Sequence, residues 1–299
     1  MWVALRPYCR RFLEMLHAKT QVKLAVYTNG IASYACKILE ILDPDGKFFG
    51  HGATQRLIFR KKEDHMNKLA SIFRERFGFH WRQSLIIDDR PDVWESEKDN
   101  FYNQHVLRVK PFKWFQDGFK TSAAFKELSP DVELDFDFAD MRQTQWQKTP
   151  HLQRTLSIIC KVIEGSSSDL SDHVSICRGK VFQGCHFVFS GLPQSLSQLL
   201  KECEDFGAVC YIDFNEELLG SITHLVSGNH RLGINQTNKE KLVRKWNRGH
   251  SSKLIETVSV EWLLDSICLW RQMEIGEEYI RVLDPHRISP TNQSSKAYN

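Results

Sequence analysis

The chain has 299 residues, a length that corresponds to about two domains. Hydrophobic residues make up 41% and charged residues 26%, which excludes a wholly disordered, collagen-like or low-complexity chain. The formal net charge is only +3, and no run of about 18 uncharged apolar residues predicts a membrane helix. The 8 cysteines form no C-x-x-C pair, so buried reduced thiols are expected rather than a zinc site.

Charge divides the chain into blocks. The first block carries 21 basic and 14 acidic side chains, whereas residues 121–175 carry 5 basic and 9 acidic ones. The middle stretch also holds acidic and Ser-rich runs that are typical of linkers. The sequence therefore predicts a folded domain at 1–120, an acidic, partly helical linker at 121–177, a second domain at 178–283 and a disordered tail at 284–299.

Helical and strand patterns alternate along the first block. Apolar residues at helical spacing predict helices at 7–19, 32–42 and 67–78. Short β-rich runs predict strands at 22–28, 84–89 and 105–112. This alternation favours a parallel α/β sheet with both faces covered, in which functional residues collect at the carboxyl ends of the strands.

Two of these strand ends are polar. Asp88 and Asp89 follow an apolar run, and two adjacent carboxylates there are costly unless cations hold them. Because adjacent side chains point to opposite sides, one is expected to meet a divalent metal such as Mg²⁺ and the other a Lys or Arg. Thr28 offers a hydroxyl to an anion at the other strand end. A helix cap beside a solvated loop is the alternative for either motif taken alone.

The motifs of the first block occur in the order and approximate spacing of one family. They are LRP, YTNG, LDPDGKFF, IIDDRPDVW and VKPFKWF. Residues 1–120 thus resemble the FCP-type phosphatases of the RNA polymerase II C-terminal domain, which are haloacid-dehalogenase-like phosphotransferases. The resemblance implies an α/β domain with a parallel sheet, a nuclear location and Mg²⁺-dependent hydrolysis of phosphoserine through an aspartyl-phosphate.

The resemblance also assigns roles to individual residues. Thr28 matches the threonine that hydrogen-bonds the transferring phosphoryl group, and Asp89 matches the last Mg²⁺ ligand. Asp88 matches the aspartate that orients the phosphate-binding lysine, for which Lys68 is the nearest candidate; a solvated helix lysine is the alternative. Arg90 is expected to contact the substrate or to make a structural contact within the protein.

One family motif is absent from the printed chain. The family carries its nucleophile and general acid in a D-x-D-x-T motif, on a strand that shortly precedes the stretch matching Leu5 to Pro7. The run DFD at 135–137 is followed by Phe138 and Ala139, so it does not complete the motif. The haloacid-dehalogenase-like sheet is therefore expected to be incomplete, the chain inactive as printed, and the gene model or its product shortened at the amino terminus.

The second block reads as a smaller α/β unit. Strand patterns occupy 185–191, 209–214 and 222–228, and helical patterns occupy 195–208, 237–249 and 258–273. The motifs VFQGCHFVFSGL, GA, THLV, TNK and VSVEWLLDS resemble a BRCT domain over 178–283. FCP-type phosphatases commonly carry such a domain after the catalytic one.

The BRCT resemblance implies a possible phosphate pocket. Its residues here are Ser190, Gly191 and Lys239, with Thr237 capping the following helix and Trp262 in the core. A hydroxyl, an amide and an ammonium converging on a dianion make chemical sense. A turn serine and a surface lysine are the alternative, because many BRCT domains lack this function.

The leading function is a serine/threonine phosphatase acting on the phosphorylated heptad repeats of RNA polymerase II. The alternative is a catalytically inactive adaptor that binds phosphoproteins or transcription factors through its BRCT domain. A DNA-repair adaptor would rest on the BRCT fold alone, which does not determine function. Direct nucleic-acid binding is not expected, because the second block carries no net charge.

Overall fold

The computed structural model describes residues 5–6, 8–59, 68, 71–79, 81–94, 105–112, 151–165, 170–191, 196–212, 214–228, 237–276 and 279. The chain divides into two compact units, Met1–Val174 and Ser175–Asn299. Both are α/β, as predicted, and the strand pairs in both are parallel. Among the described helices, none is both long and apolar enough to cross a membrane.

In the first unit, helices and strands alternate as the sequence predicts. The described helices are α1 (Cys9–His17), α2 (Ala32–Leu42), α3 (Ser71–Phe77) and α4 (His151–Gly165). The described strands are β1 (Val26–Thr28), β2 (Leu57–Phe59), β3 (Ile86–Asp88) and β4 (Val106–Arg108). Strand β2 was not predicted from the sequence, because its three apolar residues, flanked by arginines, are too few to show the alternation of a strand.

The strands of the first unit form two separate parallel pairs. Strand β1 pairs with β2, with Thr28 opposite Phe59, and β3 pairs with β4, with Asp88 opposite Arg108. Within the described ranges, each of these sheets has two strands. The strand ends that carry the predicted site residues therefore belong to different pairs.

A cluster of apolar side chains joins α1, α2 and α4 to the first strand pair. Leu16, Leu39 and Leu156 are all at most 4% exposed within it. The helix predicted inside the linker thus packs against the first unit, because the apolar stripe of α4 completes its core. A second cluster contains Phe73 of α3 and Trp94, which is 7% exposed.

The second unit begins with α5 (Leu170–Gly179), which spans the boundary between the units. Its strands are β5 (His186–Ser190), β6 (Val209–Tyr211), β7 (His224–Ser227) and β8 (Glu256–Ser259), in the order β6-β5-β7-β8. Its further helices are α6 (Leu196–Asp205), α7 (Asn238–Gly249) and α8 (Val260–Leu269). The parallel sheet and its helices confirm the small α/β domain predicted here.

The core of the second unit is centred on Trp262, which is 0% exposed and confirms the prediction for this residue. The predicted apolar helix starts later than expected. Val258 and Ser259 belong to β8, and α8 begins only at Val260, because Ser259 Oγ caps it by accepting a hydrogen bond from the Trp262 N–H at 3.3 Å. All 8 cysteines are free, and three of them are buried whereas the other five are half-buried, so burial is less general than expected.

Candidate active site

Thr28 lies half-buried at the carboxyl end of β1. Its Oγ1 accepts a hydrogen bond from the Gly30 N–H at 3.0 Å. Gly30 is needed for space, because a Cβ at this position would lie 2.8 Å from the Tyr34 ring. A hydroxyl that accepts a bond keeps its own proton, so Thr28 can still donate to an anion.

The end of β3 carries Asp88, whose carboxylate accepts three hydrogen bonds. Oδ2 accepts from Lys68 Nζ at 2.6 Å and from Trp94 Nε1 at 2.9 Å, and Oδ1 accepts from the Arg90 N–H at 3.0 Å. The side chains of Lys68 and Asp88 are 10% and 11% exposed. Such burial of charge is tolerated because each charge is paired and hydrogen-bonded. Asp88 is therefore committed to holding Lys68.

Lys68 is placed differently from the sequence expectation of a helix at this position. The described helix α3 begins at Ser71, whereas Lys68 forms an isolated parallel bridge with Trp94 and donates its N–H to the Val93 carbonyl at 2.6 Å. Its ammonium lies 5.0 Å from the Trp94 ring centroid and 5.7 Å from that of Tyr27. These contacts hold the Lys68 ammonium between the ends of β1 and β3. Its role towards phosphate stays a prediction.

Asp89 follows Asp88 and is half-buried. In the part of the chain that the structure covers, its carboxylate makes no hydrogen bond and no salt bridge. The described residues also contain no group of three or more His, Cys, Asp and Glu that could hold a metal ion. Mg²⁺ does not need such a cage, since it commonly takes one or two carboxylates together with waters and a phosphate oxygen. The chemistry of Asp89 thus fits one Mg²⁺ ligand.

Arg90 points to a different partner. Its guanidinium binds the Asp92 carboxylate through two nitrogens, with Nε to Oδ1 at 2.8 Å and Nη2 to Oδ2 at 2.6 Å. The hydrogen bonds from Arg90 hold the pKa of Asp92 below its usual range. The two side chains are 63% and 43% exposed, so Arg90 makes a structural contact and stays accessible to a substrate.

Two aromatic residues of this site were not assigned to it from the sequence. Tyr27 and Trp94 meet edge to face, with their ring centroids 5.6 Å apart, and both lie against Lys68. The Trp94 indole N–H also donates to Asp88. The signal was present in the motif DDRPDVW, because a buried tryptophan requires an acceptor for its N–H and a carboxylate lies six residues earlier.

The predicted pocket of the second unit is assembled around the end of β5. Ser190 is 5% exposed, and its Oγ lies 2.6 Å from Thr237 Oγ1. Lys239 Nζ donates to the Phe189 carbonyl at 3.0 Å, and Gly191 adopts a positive φ of 65°. Ser190, Gly191 and Lys239 therefore lie close together, as predicted, although binding of phosphate there stays a prediction.

A buried carboxylate beside this pocket was missed in the sequence. Glu240 is 7% exposed and accepts hydrogen bonds from Ser227 Oγ at 2.6 Å and from the Thr237 N–H at 2.9 Å. In return, Thr237 Oγ1 accepts from the Glu240 N–H at 3.2 Å, which confirms the predicted cap and completes a capping box. The sequence signal for this capping box was a Thr followed three residues later by a Glu.

The chain is similar to known phosphatases. The profile of the NLI interacting factor-like phosphatases matches residues 1–162. An RNA polymerase II C-terminal domain phosphatase of Caenorhabditis elegans is 24% identical over 287 residues, which make up 89% of this chain and 38% of that protein. A phosphatase of the same kind from Encephalitozoon cuniculi is 34% identical over 116 residues, or 38% of this chain and 24% of that protein.

A solved structure shares the fold. A fission yeast Fcp1 variant, an RNA polymerase II CTD phosphatase bound to beryllium fluoride, superposes with a TM-score of 0.61 at 21% identity. The match covers 93% of this chain and 80% of that chain. The chain spans less than half of the length of the two curated relatives named above.

Proposed function

The chain belongs to the NLI interacting factor-like phosphatase family, and on this premise we propose that its first unit is the core of a protein phosphatase. The substrate that we propose is phosphoserine or phosphothreonine in the heptad repeats of the RNA polymerase II C-terminal domain, which places the protein in the nucleus. The relatives that span most of this chain carry that substrate in their names. The observation that carries the proposal is the buried Lys68–Asp88 ion pair beside the end of β1.

The residues of the site divide the work as follows. The Asp88 carboxylate accepts from one of the three N–H donors of the Lys68 ammonium, so two of these donors are left for phosphoryl oxygens. Thr28 donates its hydroxyl to another oxygen, and the exposed guanidinium of Arg90 attracts the charged substrate. Asp89 would hold Mg²⁺. When bound, Mg²⁺ would neutralise charge on the transferring phosphoryl group.

The catalytic cycle further needs a carboxylate nucleophile and a general acid. The family supplies both from D-x-D-x-T, and the 299 printed residues contain no such motif. Asp88 cannot take over as nucleophile, because its carboxylate is buried and already accepts three hydrogen bonds. We therefore propose that the printed chain by itself does not turn over substrate, although it contains the groups that bind phosphate and metal.

The test measures phosphate release from synthetic phosphoserine heptads with and without Mg²⁺. The printed chain is expected to be inactive, and the same chain preceded by an apolar strand that ends in D-x-D-x-T is expected to be active only with Mg²⁺. Turnover by the printed chain would overturn the proposed inactivity. If the extended chain folds but stays inactive on every heptad phosphoserine, the proposed phosphatase function is wrong.

Matched variants of the extended chain locate the chemistry. Asp89→Asn should abolish the Mg²⁺ response, since an amide is a poor ligand for this cation. Asp45→Asn is the control, because this substitution makes the same chemical change at an exposed position in the turn after α2. Equal activity of the two variants would exclude Asp89 as the metal ligand.

A second function is favoured by the cluster around Ser190. Its Oγ lies 2.6 Å from Thr237 Oγ1, and Lys239 Nζ donates to the neighbouring Phe189 carbonyl. We propose that these groups and the Gly191 N–H bind a phosphoserine peptide, so that the protein acts as an adaptor. Titration with phosphorylated and unphosphorylated heptads tests this. Phosphate-dependent binding that is lost in Lys239→Met and kept in Lys241→Met, a matched change on the same helix, would support it. Equal affinity for both peptides would refute it.

A further inference from the structure

Two cysteines of the second unit lie next to each other across the turn that joins α6 to β6. Cys203 belongs to α6 and is 0% exposed, whereas Cys210 is the middle residue of β6 and is half-buried. Their thiols are hydrogen-bonded to each other. We call Cys203 and Cys210 the dithiol pair.

The backbone of the turn brings the dithiol pair together. The Cys203 carbonyl accepts hydrogen bonds from the Phe206 N–H at 3.1 Å and from the Ala208 N–H at 3.0 Å, so the chain reverses direction directly after α6. Gly207 permits this reversal, because its φ is +92°. Ala208 is buried, and side chains alternate along an extended chain, so Cys210 lies on the same face as Ala208.

A second contact fixes the sulfur of Cys210 against α6. Its Sγ donates to the carbonyl of Leu200, a residue of α6, at 3.8 Å. Leu200 and Cys203 are three positions apart and therefore lie on the same side of the helix. A disulfide requires that the two side chains point towards each other from adjacent elements, and the dithiol pair meets this requirement.

The two thiols differ in their access to solvent and in their ionisation. Hydrogen bonding to Cys210 and burial raise the pKa of Cys203, so this sulfur stays protonated and attacks an oxidant slowly. Cys210 lies on β6, which is an outer strand of the sheet within the described residues, and its neighbour Val209 is 46% exposed. A small oxidant from solvent therefore reacts first with Cys210.

We propose that the dithiol pair is a redox modification site, which closes to a reversible disulfide when the chain meets a hydroperoxide such as hydrogen peroxide. The site needs no phosphate, metal or carboxylate nucleophile. It is therefore independent of the phosphatase and phosphopeptide-binding functions proposed above.

The reaction has two steps, each of which releases one water. The Cys210 sulfur attacks one oxygen of hydrogen peroxide, the O–O bond breaks, and the other oxygen leaves as water with the thiol proton, which yields a sulfenic acid. The Cys203 sulfur then attacks the Cys210 sulfur, and the sulfenic oxygen leaves as the second water with the Cys203 proton. The two sulfurs lose two electrons in total, and these electrons reduce the peroxide. A small dithiol such as dithiothreitol reverses the change by thiol–disulfide exchange.

The disulfide would fasten an outer strand to a helix. Within the described sheet, β6 pairs with β5 alone, with Cys210 opposite Phe187. A covalent link from β6 to α6 restricts local opening of this edge. The Val209 amide, which donates to the Cys185 carbonyl, should therefore exchange at least about fivefold more slowly in the oxidised chain. Equal exchange rates before and after oxidation would contradict this role.

The direct test maps thiols in the full chain after treatment with hydrogen peroxide, denaturation and alkylation. Trypsin leaves both cysteines of the pair in one peptide, residues 202–231, and places Cys185 by itself in residues 181–201. Peptide 202–231 should lose about 2 Da and its alkylation should fall at least about tenfold, with recovery after dithiothreitol. Cys185 is the control, because it is also buried and its Sγ donates to Gln272 rather than to another thiol, so its alkylation should be unchanged.

Two other products would overturn the proposal. A sulfinic acid on Cys210 beside an alkylated Cys203 would show that Cys203 does not resolve the sulfenic acid. A disulfide that links two chains would show that the partner thiol belongs to another molecule. Equal loss of alkylation at Cys185 and at the dithiol pair would also refute it, because oxidation would then not depend on a neighbouring thiol.

A variant of the exposed partner completes the test. Cys210→Ser keeps a small polar side chain on β6, and Cys203 should then remain fully open to alkylation after peroxide treatment and denaturation. Cys185→Ala is the matched control and should leave disulfide formation in peptide 202–231 intact. Oxidation of Cys203 to the same extent in Cys210→Ser as in the native chain would overturn the proposal.

Discussion

Replacement of Asp88 by asparagine should destabilise the first unit far more than the same change at Asp92. Both carboxylates accept a hydrogen bond of 2.6 Å from a cationic side chain, Lys68 in one case and Arg90 in the other. The pairs differ in burial, with side chains 10% and 11% exposed in the first and 63% and 43% exposed in the second. Removal of one charge from a buried pair leaves the other uncompensated, at a cost of about 3–5 kcal/mol. An exposed pair is screened by solvent and contributes little.

The assay is urea-induced unfolding followed by circular dichroism, with the free energy of unfolding compared among the native chain, Asp88→Asn and Asp92→Asn. A third variant, Lys68→Met with Asp88→Asn, removes both charges and should recover part of the loss, because no lone buried charge is left. Equal destabilisation by the two single variants would refute the reasoning. So would a double variant that is no more stable than Asp88→Asn alone.

Three further predictions concern the second unit. Burial lowers the pKa of His224 to about 4, so between pH 6.5 and 4 the unfolded state binds more protons than the folded state. The free energy of unfolding should therefore fall by about 3 kcal/mol as the pH is lowered through that window. A His224→Gln variant whose urea midpoint keeps the same pH dependence would contradict this. Gly207→Ala should destabilise the second unit by at least about 2 kcal/mol, because φ of Gly207 is +92° and a Cβ there would lie 2.0 Å from a backbone carbonyl oxygen. Gly220→Ala is the control and should be tolerated, because nothing lies within 4 Å of a Cβ at that position. Similar melting temperatures for the two variants would refute the prediction. Thr237→Ala should cost about 1 kcal/mol by removing the cap that faces Glu240, and no change in thermal unfolding would show that the capping box is not formed.

The strand ends illustrate what local sequence can predict. A run of β-rich residues followed by a threonine or by two aspartates places polar groups at the carboxyl ends of parallel strands, whatever the details of packing. Thr28 and Asp88 therefore lie where the pattern predicts them. Strand β2 was missed because its three residues are too few for any period to be seen, and its pairing with β1 is a long-range contact.

Lys68 shows the opposite case. Its neighbours have the composition of a helix, but a parallel bridge to Trp94 and an ion pair with Asp88 outweigh local propensity. The family resemblance named Lys68 as the candidate partner of Asp88, whereas nothing in the local pattern around Lys68 indicated its bridge to Trp94. The same holds for α4, whose amphipathic stripe was visible in the sequence but whose place in the core of the first unit was not.

The sequence by itself determined the α/β class, the order of most helices and strands, the family and the residues at the strand ends, because these depend on short-range periodicity and on motifs that are contiguous in the chain. Only the tertiary structure decided that Lys68 forms a bridge to Trp94, that Glu240 is buried beside Ser227, and that an apolar groove separates the two strand pairs. These features arise when segments far apart in the chain share one desolvated space. There, the free energy of burying a charge or exposing a strand edge depends on neighbours that a linear pattern does not specify.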